Sequence, residues 1–183
     1  MNKNYADVLE SYLIAEEYYV SYYQKYDKDR KSTDKISLTD MNILVINAEN
    51  CDEIGKKYRG LGLPLFNKRR FFKDGVTWVR ILDANNRLVA SAEIYDSRYA
   101  MKLNVSKYDT VPYDESKSFL NDLTVRKDYQ GKGLGRQIFK YLVSKFNIGY
   151  LEVHVGGEVA ENLYKSEGFR VYYRDDDIIC MKK

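Results

Sequence analysis

Apolar and aromatic side chains recur at helical spacing early in the chain. Tyr5, Val8, Leu9, Tyr12, Leu13, Tyr19, Val20 and Tyr23 draw one stripe along a helix that ends near residues 27–31. The period then changes. Residues 42–47 (Asn-Ile-Leu-Val-Ile-Asn) form a short apolar run between asparagines, the pattern of a buried strand. Asn50, with Glu53 three residues on, has the form of an N-cap and capping box for a helix carrying Ile54 and Tyr58. Gly60, Gly62 and Pro64 break that helix, residues 65–72 read as a second short one, and Asp74-Gly75 ends the helical region.

Residues 76–82 and 88–95 alternate as two strands around Asp83-Ala84-Asn85-Asn86, a hairpin turn. Residues 96–116 are polar and irregular, longer than an ordinary hairpin loop, which points to a functional segment rather than filler. A further strand spans 119–125. Leu134, Ile138, Tyr141, Leu142 and Phe146 then make a helical face, stopped by Asn147 and Gly149. Residues 150–155 read as a strand, and Val159, Ala160, Leu163 and Tyr164 as a short helix closed by Gly168. Residues 169–173 and 177–181 form a last hairpin around Arg174-Asp175-Asp176. This order predicts an α/β, mixed α+β domain on a mixed sheet over residues 41–183, preceded by a helical extension over 1–40. The stripe of that extension suits the domain's own core or a dimer contact, so a monomer and a homodimer both stay open.

Composition narrows the class. A chain of 183 residues suffices for one well-packed domain, and 44% hydrophobic with 31% charged residues is ordinary for a globular protein. No apolar run approaches the length of a membrane-spanning helix, and the Glu- and Tyr-rich start lacks the apolar core of a secretory signal. A net charge of +3 makes no case for a nucleic-acid partner. Cys51 and Cys180 lie far apart, and with His154 as the one histidine they are too few for a zinc site; no metal is expected. Two reduced thiols fit a cytoplasmic location.

The chemistry concentrates in Gln130-Gly131-Lys132-Gly133-Leu134-Gly135, between a strand and an amphipathic helix. Three glycines remove Cβ atoms where backbone N–H groups approach a partner. The helix start adds unpaired N–H donors and the positive end of its dipole, which together favour a phosphate or pyrophosphate. Lys132 and Arg136 add charge. A Rossmann loop would need glycine at Arg136, and a Walker loop Ser or Thr at Gly133.

Here the chain resembles the GNAT superfamily of N-acetyltransferases. The carriers of that resemblance are Asp122-Leu123-Thr124-Val125, then the glycine loop, then Leu163-Tyr164-Lys165-Ser166-Glu167-Gly168-Phe169 downstream and in order. It implies a central sheet splayed between the fourth and fifth core strands, with the N-terminal helix an addition, and acetyl-CoA as cosubstrate. Leu123, Thr124 and Val125 would line the pantetheine arm, with the backbone of Leu123 and Val125 binding it as an added strand would. The loop of Gln130, Gly131, Lys132, Gly133, Leu134, Gly135 and Arg136 would hold the pyrophosphate. Tyr164 would be the general acid at the sulfur, and Asp122 the base or amine-orienting carboxylate. Glu93 and His154 are further candidates, the latter more in keeping with a structural hydrogen-bonder. Gly157 stands where family members often carry a cofactor-contacting Asn, which implies looser or backbone-mediated binding there.

The acceptor stays open between a small amine, a protein lysine and a protein N-terminus. Two other functions share the fold: an acyl-CoA-binding sensor without turnover, and a toxin-like acetyltransferase of aminoacyl-tRNA, for which Arg69-Arg70 is weak support.

Overall fold

The structure is a computed structural model that describes residues 35–58, 74–103 and 114–183. The expected helix over residues 5–27, the expected helix over 65–72 and the later part of the 96–116 segment lie outside the described residues.

The strands are β1 (Asn42–Ile46), β2 (Val76–Leu82), β3 (Leu88–Tyr95), β4 (Ser118–Val125), β5 (Ile148–His154), β6 (Arg170–Arg174) and β7 (Ile178–Lys182). The helices are α1 (Cys51–Tyr58), α2 (Ser97–Leu103), α3 (Leu134–Phe146) and α4 (Glu158–Ser166), with short 3-10 turns at Leu38–Asp40 and Lys127–Tyr129. All seven strands join one sheet in the order β1-β2-β3-β4-β5-β7-β6. Neighbours run antiparallel except β4 and β5, which α3 connects in parallel. The mixed α+β architecture read from the sequence is the architecture observed.

Period-two alternation sorts the strands into two faces. Val79, Ile81, Ala92, Ile94, Leu120, Leu151 and Ile179 face Leu134, Ile138, Phe139 and Leu142 of α3 and Tyr164 of α4 in the main core. On the opposite face Val76, Tyr95, Phe119 and Tyr150 surround Ala100 of α2.

Local chemistry departs from the sequence expectation at three places. Asn47, not Asn50, caps the start of α1: its side chain accepts from the N–H groups of Glu49 and Asn50, while Asn50 reaches back to the Val45 carbonyl at 2.9 Å. The segment beginning at Asp96 opens with α2 rather than irregular chain. Asp96 accepts the Tyr99 N–H at 2.7 Å as an N-cap, and burial of Ala100 supplies the apolar contact that so polar a stretch does not advertise. Gly149 lies inside β5 instead of ending α3, as the extra residue where the β4–β5 register shifts and where a Cβ would meet the Lys117 side chain at 2.7 Å; the stop is Asn147 alone, in the left-handed conformation at φ 52.

The β2–β3 turn is tied into the fold by a carboxylate. Asp83 accepts the N–H groups of Asn85 and Arg87, pairs with the Arg87 guanidinium and accepts the Tyr129 hydroxyl at 3.1 Å. Burial works to raise its pKa, but the Arg87 and Asn85 bonds prevail and hold it below the usual carboxylate range. Tyr129 sits immediately before the glycine loop, so this network braces the loop against the hairpin.

Candidate active site

The parallel pair β4–β5 is in register only at Ser118↔Ile148, Phe119↔Tyr150 and Leu120↔Leu151. Beyond that β4 continues along β3 and β5 along β7. The cause is legible in the β3–β4 register: Glu93 pairs with Asp122 and Ile94 with Leu120, so Asn121 is an extra, bulged residue. A bulge bends its strand and strengthens the local twist. The sheet therefore splits from Asn121 onward.

The Arg126 N–H bonds the Val89 carbonyl at 2.9 Å. Strand alternation then directs the backbone groups of Thr124 and Asp122 to β3, and those of Leu123 and Val125 into the split. The backbone of Leu123 and Val125 thus faces away from β3, into the gap between β4 and β5. Thr124 turns its backbone to β3, and its hydroxyl lies 3.3 Å from both Asp122 carboxylate oxygens. The Val125 carbonyl accepts the Gln130 side chain at 2.7 Å, which folds the glycine loop back on the strand end and leaves the Val125 N–H and both Leu123 groups facing the split.

At the loop, Gly131 and Gly133 have φ of 72 and 78, and a Cβ on either would meet nothing within 4 Å. Only glycine takes this conformation without strain. Gly133 caps α3 with no side-chain bond. Since the first helical bond runs from the Gln137 N–H to the Gly133 carbonyl, the N–H groups of Gly133, Leu134, Gly135 and Arg136 have no intrahelical partner. Lys132 is half-buried beside them. The Arg136 side chain instead pairs with Glu167 at 2.7 Å, bridging α3 to the end of α4. An open, glycine-lined row of N–H donors at a helix start fits a pyrophosphate.

Tyr164 is 6% exposed and packs on Phe139 at 4.7 Å between ring centroids. Its hydroxyl makes no hydrogen bond among the described residues. Burial, and then the Asp122 charge, push its pKa up to about 12. The phenol and the carboxylate, separated by 42 positions of sequence and carried on opposite faces of the sheet, are thus electrostatically coupled at the split. Gly157 caps α4, and a Cβ there would meet Val153 Cγ2 at 2.8 Å and the His154 carbonyl at 3.0 Å. The tight turn that joins β5 to α4, closed by the Gly157 N–H on the His154 carbonyl at 2.9 Å, leaves little room for a side chain at that position. His154 is exposed at the end of β5, and the Asp175 side chain is spent on the N–H groups of Asp177 and Ile178 in a tight turn.

Glu93, a minor candidate in the sequence, is the most perturbed carboxyl at the split. It lies opposite Asp122 on the same face and accepts the Asn121 side-chain amide at 2.8 Å. Burial is the main cause of a pKa raised to about 7; Asp122 adds to it, and the bonds from Asn121 and Tyr95 and the Arg80 charge work against it. Nothing in the local sequence marks Glu93, because its environment is set by a bulge on the next strand. Among the described residues no group of three or more His, Cys, Asp or Glu could hold a metal, and no helix is long and apolar enough to cross a membrane.

Split parallel strands, a bulge at the split, a glycine cradle at the next helix and a tyrosine on the helix after it are the features that β4, α3 and α4 bring to this end of the sheet. The profile of the acetyltransferase (GNAT) domain family matches residues 73–171, more than half of the sequence, and the chain belongs to that family. No curated protein matches the chain. Among solved structures it is similar in fold to an acetyltransferase from Thermus thermophilus, with 12% identity over 81% of this chain and 99% of that one and a TM-score of 0.52. It is also similar to the spermidine/spermine N-acetyltransferase of Vibrio cholerae, with 14% identity over 78% and 92% and a TM-score of 0.48. For the ribosomal-protein-S18-alanine N-acetyltransferase of Escherichia coli the values are 17% over 77% and 91%, with a TM-score of 0.47.

Proposed function

We propose that this acetyltransferase-family chain is an enzyme that moves the acetyl group of acetyl-CoA to a primary amine by direct attack in a ternary complex. The observation that supports the reading is the split at Asn121, beyond which the backbone of Leu123 and Val125 faces away from β3 and the strand leads directly into the glycine cradle of residues 131–136. Pantetheine would pair along Leu123 and Val125 as an added strand. The cradle N–H groups and Lys132 would hold the pyrophosphate.

An alkylammonium acceptor has a pKa near 10.4 and must lose a proton before it attacks. Asp122, reaching the split from the face opposite α3 and α4, would orient it or receive that proton. Attack at the thioester carbonyl forms the C–N bond and an oxyanion, which free strand N–H groups would stabilise. Collapse breaks the C–S bond and frees a thiolate. A phenol of pKa about 12 is fully protonated at neutral pH, yet transfer to a thiolate, whose conjugate thiol has a pKa of about 8.5, is uphill on its own. Tyr164 therefore works as a shuttle: it gives its proton to sulfur as the nitrogen loses one, and is restored without resting as tyrosinate. The acceptor is a small amine, a lysine or a protein N-terminus, and the two buried cysteines outside any disulfide, Cys51 and Cys180, support a reducing, cytoplasmic setting.

Calorimetry with acetyl-CoA, followed by thiol-release assays on spermidine, a lysine peptide and a peptide with a free N-terminus, tests this. Binding with thiol release on at least one amine is expected. Binding without release on any would make the chain an acyl-CoA-binding module instead.

A further inference from the structure

The geometry points to Glu93 as the general base of this reaction: a carboxylate held on β3 directly across from Asp122 that removes a proton from the incoming ammonium while Asp122 holds it. This rests on the acetyl-transfer reading above and divides between two carboxylates the work first given to one.

The β3–β4 pairing and one hydrogen bond carry the assignment. The β3–β4 register sets it directly opposite Asp122, and paired residues share a face. The residue that splits the sheet is also the one that positions it: bulged Asn121 donates its amide to Glu93 Oε2 at 2.8 Å. The face it shares with Asp122 is the one opposite the α3 and α4 core, to which Tyr164 belongs. Asp122 is differently engaged, with both oxygens receiving the Thr124 hydroxyl, which suits a fixed charge that holds a cation. Among the described residues the charged and titratable groups acting on Glu93 are Asp122 from β4, Arg80 from β2 and Tyr95 from its own strand.

The proton balance closes. Glu93 takes one proton from R–NH3+ and later returns it to solvent. The amine then attacks, the C–S bond breaks, and a second nitrogen proton replaces the one Tyr164 gives to the thiolate. One hydrogen remains on the amide.

The test is the pH dependence of kcat/KM with whichever of spermidine, the lysine peptide or the N-terminal peptide the wild type acetylates best. Glu93 must be ionised to act, so activity rises with pH through about 7 and is lost below it. Glu93→Gln should lower kcat/KM roughly 100-fold and abolish that limb, with acetyl-CoA affinity unchanged. Asp122→Asn removes a like charge and should move the limb to lower pH. Asn121→Ala removes a donor to the carboxylate and should move it to higher pH. A limb near 7 that survives Glu93→Gln, or that neither neighbour displaces, overturns the assignment and leaves acetyl transfer standing. A wild type that binds acetyl-CoA and acetylates none of the three amines overturns the transfer reading itself. If Glu93→Gln does not fold, the opposite displacements from the two neighbours decide.

Discussion

The two faces of the sheet are built from different materials. Toward α3 and α4 the strands present Val79, Ile81, Leu120, Leu151 and Ile179, each 2% exposed or less, against Leu134, Ile138, Phe139 and Leu142. On the other face β2, β3 and β4 carry Arg80, Ser91, Glu93 and Asp122, with Arg80 only 1% exposed, bonded to the Ser91 hydroxyl and stacked over the Trp78 ring. Buried ionisable groups stabilise a fold weakly or not at all, because desolvation offsets their pairing. The α3–α4 face therefore carries most of the stability, and the other face combines buried charged groups with a smaller apolar cluster of Val76, Tyr95, Ala100, Phe119 and Tyr150. The two communicate at the split, where Asp122 on one side acts on Tyr164 on the other.

Substitutions can break this division. The largest effect is expected from Phe139→Ala, which removes a fully buried ring packed between Tyr164 and Phe169. It should lower stability by about 3–5 kcal/mol in urea unfolding. A loss below about 1 kcal/mol would show that this face is not where stability resides. Gly133→Ala should have a smaller effect of a different kind. The left-handed φ of 78 penalises alanine by about 1–2 kcal/mol, and the new Cβ would stand in the open cradle rather than in packed protein. Acetyl-CoA affinity should fall about tenfold by calorimetry, the fold-change that matches about 1.4 kcal/mol, with the cooperative unfolding transition retained. Unaltered affinity would remove the loop from the cofactor site.

How much of this was readable in the chain depended on how local the cause was. The strands β1 to β7 and the faces of α3 and α4 follow from alternation and helical spacing, and the cradle from glycines that positive φ demands. The helix that carries Tyr164 and the strand that carries Asp122 were legible from the same spacing. Features set by contacts across the sheet were not. The Asn121 bulge needs the β3–β4 register, the altered Glu93 needs that bulge, and Gly157 needs the approach of Val153 to the α4 cap. Likewise α2 depends on one Asp96 cap and one buried Ala100, too little apolar signal to stand out from the polar segment around it.

The central claim is that a buried phenol at the split completes acetyl transfer, and Tyr164→Phe tests it most directly. The substitution keeps the ring against Phe139 and deletes the hydroxyl alone. Thiol release from acetyl-CoA with the preferred amine should fall by roughly 100-fold or more in kcat while the acetyl-CoA Kd stays nearly constant. Unchanged kcat would contradict the account and remove Tyr164 from the chemistry.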